Sequence, residues 1–125
     1  MTNRRPLLLI VDDDAGSARL LGRLLEQDGY EIAVETTGAG AIERLARGRI
    51  PDAVITDYNL PGVDGLVVGR HARATRADIP IIVLTGDPYA VEHSPRALEA
   101  VDVLAKPLDY ALLVQHLRAS VPVHS

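Results

Sequence analysis

The chain has 125 residues, 47% of them hydrophobic, no cysteine and a formal net charge of −4. That length suits one domain with a full core, and that hydrophobic fraction is foreign to disordered chains. The missing cysteines exclude disulfides and thiolate metal sites and suit a cytoplasmic location, and the negative balance offers no basic footprint for direct nucleic-acid binding.

Five short apolar runs, near 7–11, 31–35, 53–56, 80–84 and 101–105, read as strands. Their spacing leaves room for one helix between each pair, as parallel βαβ units require. Arg4-Arg5 precede the first run, which is too short for a signal-peptide core or a membrane span. It ends in Asp12-Asp13-Asp14. The helix after it carries an apolar stripe of Leu20, Leu21, Leu24 and Leu25, and Gly29 closes it in the left-handed conformation. Glu31–Glu35 alternates polar and apolar, which marks an edge strand with one wet face. Ala41, Ile42, Leu45 and Ala46 form the second stripe, closed by Gly48. The first, third and fourth runs are nearly continuous, as strands covered on both faces are.

The third run ends in Asp57, followed by a turn at Pro61-Gly62. A helix over about 64–75 then faces the sheet with Leu66, Val67 and Gly69. The fourth run ends in Thr85. Gly86, Pro88, Ser94 and Pro95 interrupt the stretch after it, which predicts a loop and then a short helix at Ala97-Leu98-Glu99-Ala100. The fifth run ends in Lys106-Pro107. Asp109 caps a last helix packed through Leu112, Leu113, Val114 and Leu117, with fraying from Ser120 onward because Pro122 cannot continue it. Phe and Trp are absent, so the core is expected to be aliphatic. His71, His93, His116 and His124 show no metal-ligand spacing and read as isolated surface residues.

Each strand-end group has an ordinary reading when taken alone. Asp14 is a fair helix cap, Asp57 a turn former, Thr85 loop chemistry, and Lys106 a side chain reaching for solvent. Three adjacent aspartates repel, by roughly 4 kcal/mol per pair at about 4 Å and an effective dielectric of 20, so something must compensate. Hard carboxylate oxygens suit Mg²⁺. An aspartate can also attack phosphorus to give an acyl phosphate, a reaction that needs positioning and charge neutralisation. In an open α/β sheet, ligand chemistry collects outside the carboxyl ends of the strands. Four strand ends carrying carboxylates, a hydroxyl and an ammonium therefore suit a pocket for a divalent cation and a phosphoryl group.

Four stretches carry a resemblance to the receiver domain of the two-component response regulators: Leu9–Asp14, Pro51–Gly65, Pro80–Gly86 and Leu104–Pro107. The resemblance covers about residues 6 to 119, within a single domain spanning 1–125. It implies a flavodoxin-like α/β fold, a five-stranded parallel sheet of order 2-1-3-4-5 with helices on both faces. It further implies that Asp57 accepts a phosphoryl group from a histidine kinase or phosphotransfer protein. Mg²⁺ would be held by Asp13, Asp57 and the main-chain carbonyl of Asn59, with Asp12 acting largely through water. Thr85 would turn toward the phosphoryl oxygens, Lys106 would pair with the acyl phosphate, and the Lys106–Pro107 peptide would be cis.

Such a domain is a phosphorelay switch that assists its own phosphorylation and dephosphorylation, not an enzyme acting on a substrate. Its partners are the kinase and a downstream protein target or fused output domain; a homodimer is also open to it. With no output domain within these residues, it acts alone or as a segment of a larger regulator.

The pattern also departs from the family. Val103 stands where an aromatic ring is usual, and Glu99 where a glycine usually ends the fourth helix. The expected response to phosphorylation is therefore a reordering of the loop from Gly86 to Pro95, where Tyr89 is the only aromatic. Two rivals frame this reading. A phosphatase of the haloacid dehalogenase type would need an acidic pair after the lysine, and only Asp109 follows it. A degenerate receiver serving only protein contacts would not need Asp12, Asp13, Asp57, Thr85 and Lys106 together.

Overall fold

The structure is a computed structural model that describes residues 4–123; His124 lies outside them. Strands and helices alternate along the chain: β1 (Leu7–Val11), α1 (Ala15–Gln27), β2 (Glu31–Glu35), α2 (Gly38–Arg47), β3 (Ala53–Asp57), α3 (Gly65–Thr75), β4 (Ile81–Thr85), α4 (Pro88–Glu92), β5 (Val101–Ala105) and α5 (Tyr110–Ser120). All strand pairings are parallel, in the order β2-β1-β3-β4-β5. Every residue of β1, β3 and β4 is buried, while β2 is exposed or half-buried as an edge strand should be.

Alternation along the strands builds two aliphatic layers. Leu8, Ile10, Ile55 and Ile82 pack with Leu25, Leu113 and Leu117 under α1 and α5. Leu9, Val11, Val54, Ile81 and Val83 pack with Leu45, Leu66 and Val68 under α2 and α3. Each helix starts on a side chain that accepts a backbone amide: Asp14, Thr37, Asp64, Asp87 and Asp109. Gly29 takes the expected positive φ, +102°. Among the described residues no helix is long and apolar enough to cross a membrane.

The structure corrects several details. The fourth helix comes first and the irregular segment second: Asp87 caps Pro88–Glu92, and 93–100 is not helical. Arg73 explains why. Its guanidinium donates to the carbonyls of Ile79, Glu99 and Ala100, and Ala100 sits at φ +56°. A right-handed helix cannot run through Ala100 at that φ, and Arg73 fastens the irregular segment by its carbonyls.

On α3 it is Val68, not Val67, that is buried. Leu20 and Leu112 lie on the exposed flank of their stripes. The core is not purely aliphatic, because Tyr30 is fully buried and its hydroxyl donates to the Val121 carbonyl at 2.9 Å. That contact, with Val121 itself buried, holds the segment after Ser120 that was expected to fray. Two histidines are not isolated: His116 Nδ1 lies 3.0 Å from Asp102 Oδ2, and the ring of His93 stacks on Tyr89.

Candidate functional site

Strand register assembles the site. Val11 pairs with Thr56, which sets Asp12 beside Asp57 at the carboxyl ends of β1 and β3. Asp57 pairs with Leu84 and Thr85 with Ala105, so the ends of β4 and β5 follow in line. The Lys106 amide then donates to the Thr85 carbonyl at 2.8 Å, past the end of β5. The next peptide, Lys106–Pro107, is cis as expected.

The three aspartates divide the work. Asp14 Oδ1 accepts the amides of Gly16 and Ser17 at 3.0 and 3.1 Å. Those bonds, Ser17 first, hold its carboxyl below the usual range. Asp14 is therefore spent on capping α1. Asp12 Oδ1 accepts the Asp14 amide at 2.9 Å. Asp12, Asp13 and Asp57 each present an oxygen within 4.8 Å of the others.

Asp57 is buried at 3% exposure. Burial pushes its carboxyl up to about 6; the Lys106 ammonium pulls the other way, and Asp12 adds to the rise. Lys106 Nζ stands 2.9 Å from Asp57 Oδ1. That contact is an ion pair but not an aligned hydrogen bond, so the buried oxygen has no directed donor. Buried carboxylates are costly unless cations balance them, and the Lys106 ammonium stands against a cluster of three. Three clustered carboxylate oxygens, one of them orphaned, fit a hard divalent ion such as Mg²⁺.

Thr85 is buried, and its hydroxyl accepts the Asp87 amide at 3.0 Å. Thr85, Gly86 and the exposed Asn59 line one shallow pocket with Tyr58 and Asp87. All the residues singled out in the sequence thus lie at the carboxyl edge of the sheet. Asp109 does not join them as a metal ligand, because its Oδ1 accepts the Leu112 amide and caps α5.

One residue was missed. Gly65 opens α3 against the back of the site: a Cβ there would lie 2.4 Å from the Asp57 carbonyl oxygen. Its amide also donates to the Tyr58 carbonyl at 2.8 Å. The available signal was a glycine directly after a capping aspartate, where a helix meets a strand end. Gly65→Ala must push α3 away from β3, and overpacking of this kind costs about 1–3 kcal/mol. The expected result is a lower denaturation midpoint and displaced Asp57 resonances; an alanine variant with unchanged stability would refute the close approach.

The chain belongs to the response regulator receiver domain family, whose pattern matches residues 8–118. It is thus a receiver domain of the two-component response regulators, and neither fold nor site favours the phosphatase or the degenerate receiver. Response regulator MprA of Mycobacterium leprae (strain TN) is 38% identical over 113 residues, 90% of this chain and 49% of MprA. The chain spans about half the length of the curated relatives it matches. A response regulator receiver protein from Sinorhizobium medicae WSM419 superposes with a TM-score of 0.84 at 27% identity, covering 94% of this chain and 95% of that one. The receiver domain of a sensor histidine kinase from Pseudomonas aeruginosa PAO1 superposes with a TM-score of 0.77 at 29% identity, over 94% and 98% of the two chains. That structure has a magnesium ion coordinated in its active site cleft.

Proposed function

We propose that Asp57 is the phosphoacceptor, with Thr85 and Lys106 as its working partners and Asp12, Asp13, Asp57 and the Asn59 carbonyl as the Mg²⁺ site. The observation that carries this reading is the buried Asp57 carboxylate in contact with Lys106 and flanked by two further carboxylates. The donor is a phosphohistidine on a histidine kinase or phosphotransfer protein. An Asp57 oxygen attacks phosphorus, a P–O bond forms, the P–N bond breaks, and the imidazole leaves. Lys106 meets the charge on the phosphoryl group, and the Thr85 hydroxyl donates to one of its oxygens. Mg²⁺, when bound, neutralises charge on the phosphoryl oxygens. The target is a downstream protein, an output domain in the same polypeptide or a second copy of the chain, and the setting is cytoplasmic.

Intact mass tests the assignment. With a small phosphodonor and Mg²⁺, the wild-type protein is expected to gain one phosphoryl group and Asp57→Asn none. An unchanged wild-type mass, or equal labelling of the variant, would contradict it.

The geometry also supports a route for the signal. The Thr85 hydroxyl anchors the Asp87 amide, and Asp87 Oδ1 accepts the Ala90 amide to cap α4. Turning that hydroxyl toward a phosphoryl group loosens the cap of a five-residue helix, and so short a helix has little stability of its own. Val103 offers no ring to follow the movement. Phosphorylation is therefore expected to change hydrogen exchange chiefly in residues 86–95. Changes confined to β5 and α5 would rule this route out.

A further inference from the structure

At the amino-terminal end of the sheet, opposite the aspartates, lies a cavity of about 540 Å³. Four arginines from three segments line it: Arg4 and Arg5 before β1, Arg49 before β3, and Arg76 after α3. Its acidic members are Asp52 and Asp78. Four cations against two anions leave a positive cavity on a chain whose net charge is −4.

The two aspartates are already engaged. Asp52 Oδ2 accepts the Leu7 amide at 2.7 Å, and Asp78 Oδ1 lies 3.2 Å from Arg76 Nε. That second contact is not an aligned hydrogen bond, so the buried Arg76 Nε has no directed acceptor. Arg49 pairs with Glu31 at 3.1 Å. Among the described residues, Arg4 and Arg5 meet no carboxylate. Backbone contacts stiffen the walls: Arg49 donates to the Arg5 carbonyl at 3.4 Å and Arg76 to the Asp52 carbonyl at 3.2 Å. Guanidinium forks match phosphate oxygens in geometry and charge. The volume lies within the range of about 300–1,000 Å³ typical of small-molecule sites.

We propose that this cavity binds a small diphosphate anion, inorganic pyrophosphate or the diphosphate group of a nucleotide. Arg4 and Arg5 supply the uncompensated charge. No aromatic side chain lines the cavity, so the phosphates are recognised and not a base. The cavity and Asp57 lie at opposite ends of the sheet, so binding is independent of phosphorylation.

Titration of the ¹⁵N-labelled full chain with inorganic pyrophosphate, without Mg²⁺ and at constant ionic strength, tests this. The expected result is saturable shifts of the Arg5, Leu7, Asp52 and Asp78 amides, with weaker binding of sulfate. Arg4→Gln combined with Arg5→Gln removes two charge-assisted contacts and is expected to weaken binding roughly tenfold or more. Both arginines are exposed, so the double variant should melt like the wild type, and Asp57→Asn should bind pyrophosphate unchanged. A non-saturating drift, an equal response to sulfate, shifts centred on Asp12 and Asp13, or an unaffected double variant would each overturn the proposal. Co-sedimentation with anionic-lipid vesicles and no response to pyrophosphate would overturn it in favour of a membrane surface.

Discussion

Asp13→Asn is expected to weaken Mg²⁺ binding by well over tenfold. Asp13 is exposed, so the change removes charge without opening the core. Unit charges about 4 Å apart attract by roughly 1 kcal/mol even in bulk water, and a divalent ion doubles that. A loss of about 2 kcal/mol already exceeds the roughly 1.4 kcal/mol of a tenfold change. The partly buried site, with Asp57 at 3% exposure, screens less than water and enlarges the effect. Calorimetry showing equal affinity in wild type and variant would remove Asp13 from the ligand set.

Without metal, Asp57→Asn is expected to stabilise the protein at neutral pH. Burial raises the Asp57 carboxyl from 3.8 to about 6. Between those values the folded chain holds a proton that the unfolded chain has released. Stability therefore falls as pH rises from about 4 to about 6, and above that the whole penalty stands, at most about 3 kcal/mol. Asparagine keeps the shape and removes the charge. The variant should melt above the wild type at pH 7–8, and the gap should close toward pH 4. Mg²⁺ should raise the wild-type melting temperature more than that of the variant, because only ligand bound by the folded state stabilises it. A variant that melts lower at every pH would mean that the Lys106 ion pair outweighs burial.

Much of this site was legible because its residues end strands. β1, β3 and β4 are written as continuous apolar runs, and parallel order brings their carboxyl ends together whatever the helices do. Asp14 was legible as the cap of α1, standing just before an apolar helical stripe, which left Asp12 and Asp13 for the site. The features that stayed hidden depended on contacts distant in sequence. Residues 97–100 have good helix composition, yet Ala100 takes a left-handed φ of +56°, and Arg73, far earlier in the sequence, holds the carbonyls of Glu99 and Ala100 in that irregular arrangement. Pro88 looked like a breaker but opens α4, behind the Asp87 cap. Tyr30 and Val121 meet across 91 residues, and no local pattern announces such a pair. Gly65 stood inside a recognised stretch, but its closeness to the Asp57 carbonyl is a property of packing.

The central claim is chemical: the phosphoryl group forms an acyl phosphate on Asp57. An acyl phosphate, unlike a phosphorylated hydroxyl, is reduced by borohydride to an alcohol, which turns the modified aspartate into homoserine. Phosphorylating the wild-type chain in Mg²⁺, reducing it and sequencing its peptides by mass spectrometry reads the position directly. Homoserine at position 57, absent when Mg²⁺ or phosphodonor is omitted, is the expected result. Homoserine at Asp12 or Asp13 instead, or phosphate retained on Thr85 with Asp57 intact, would contradict the account.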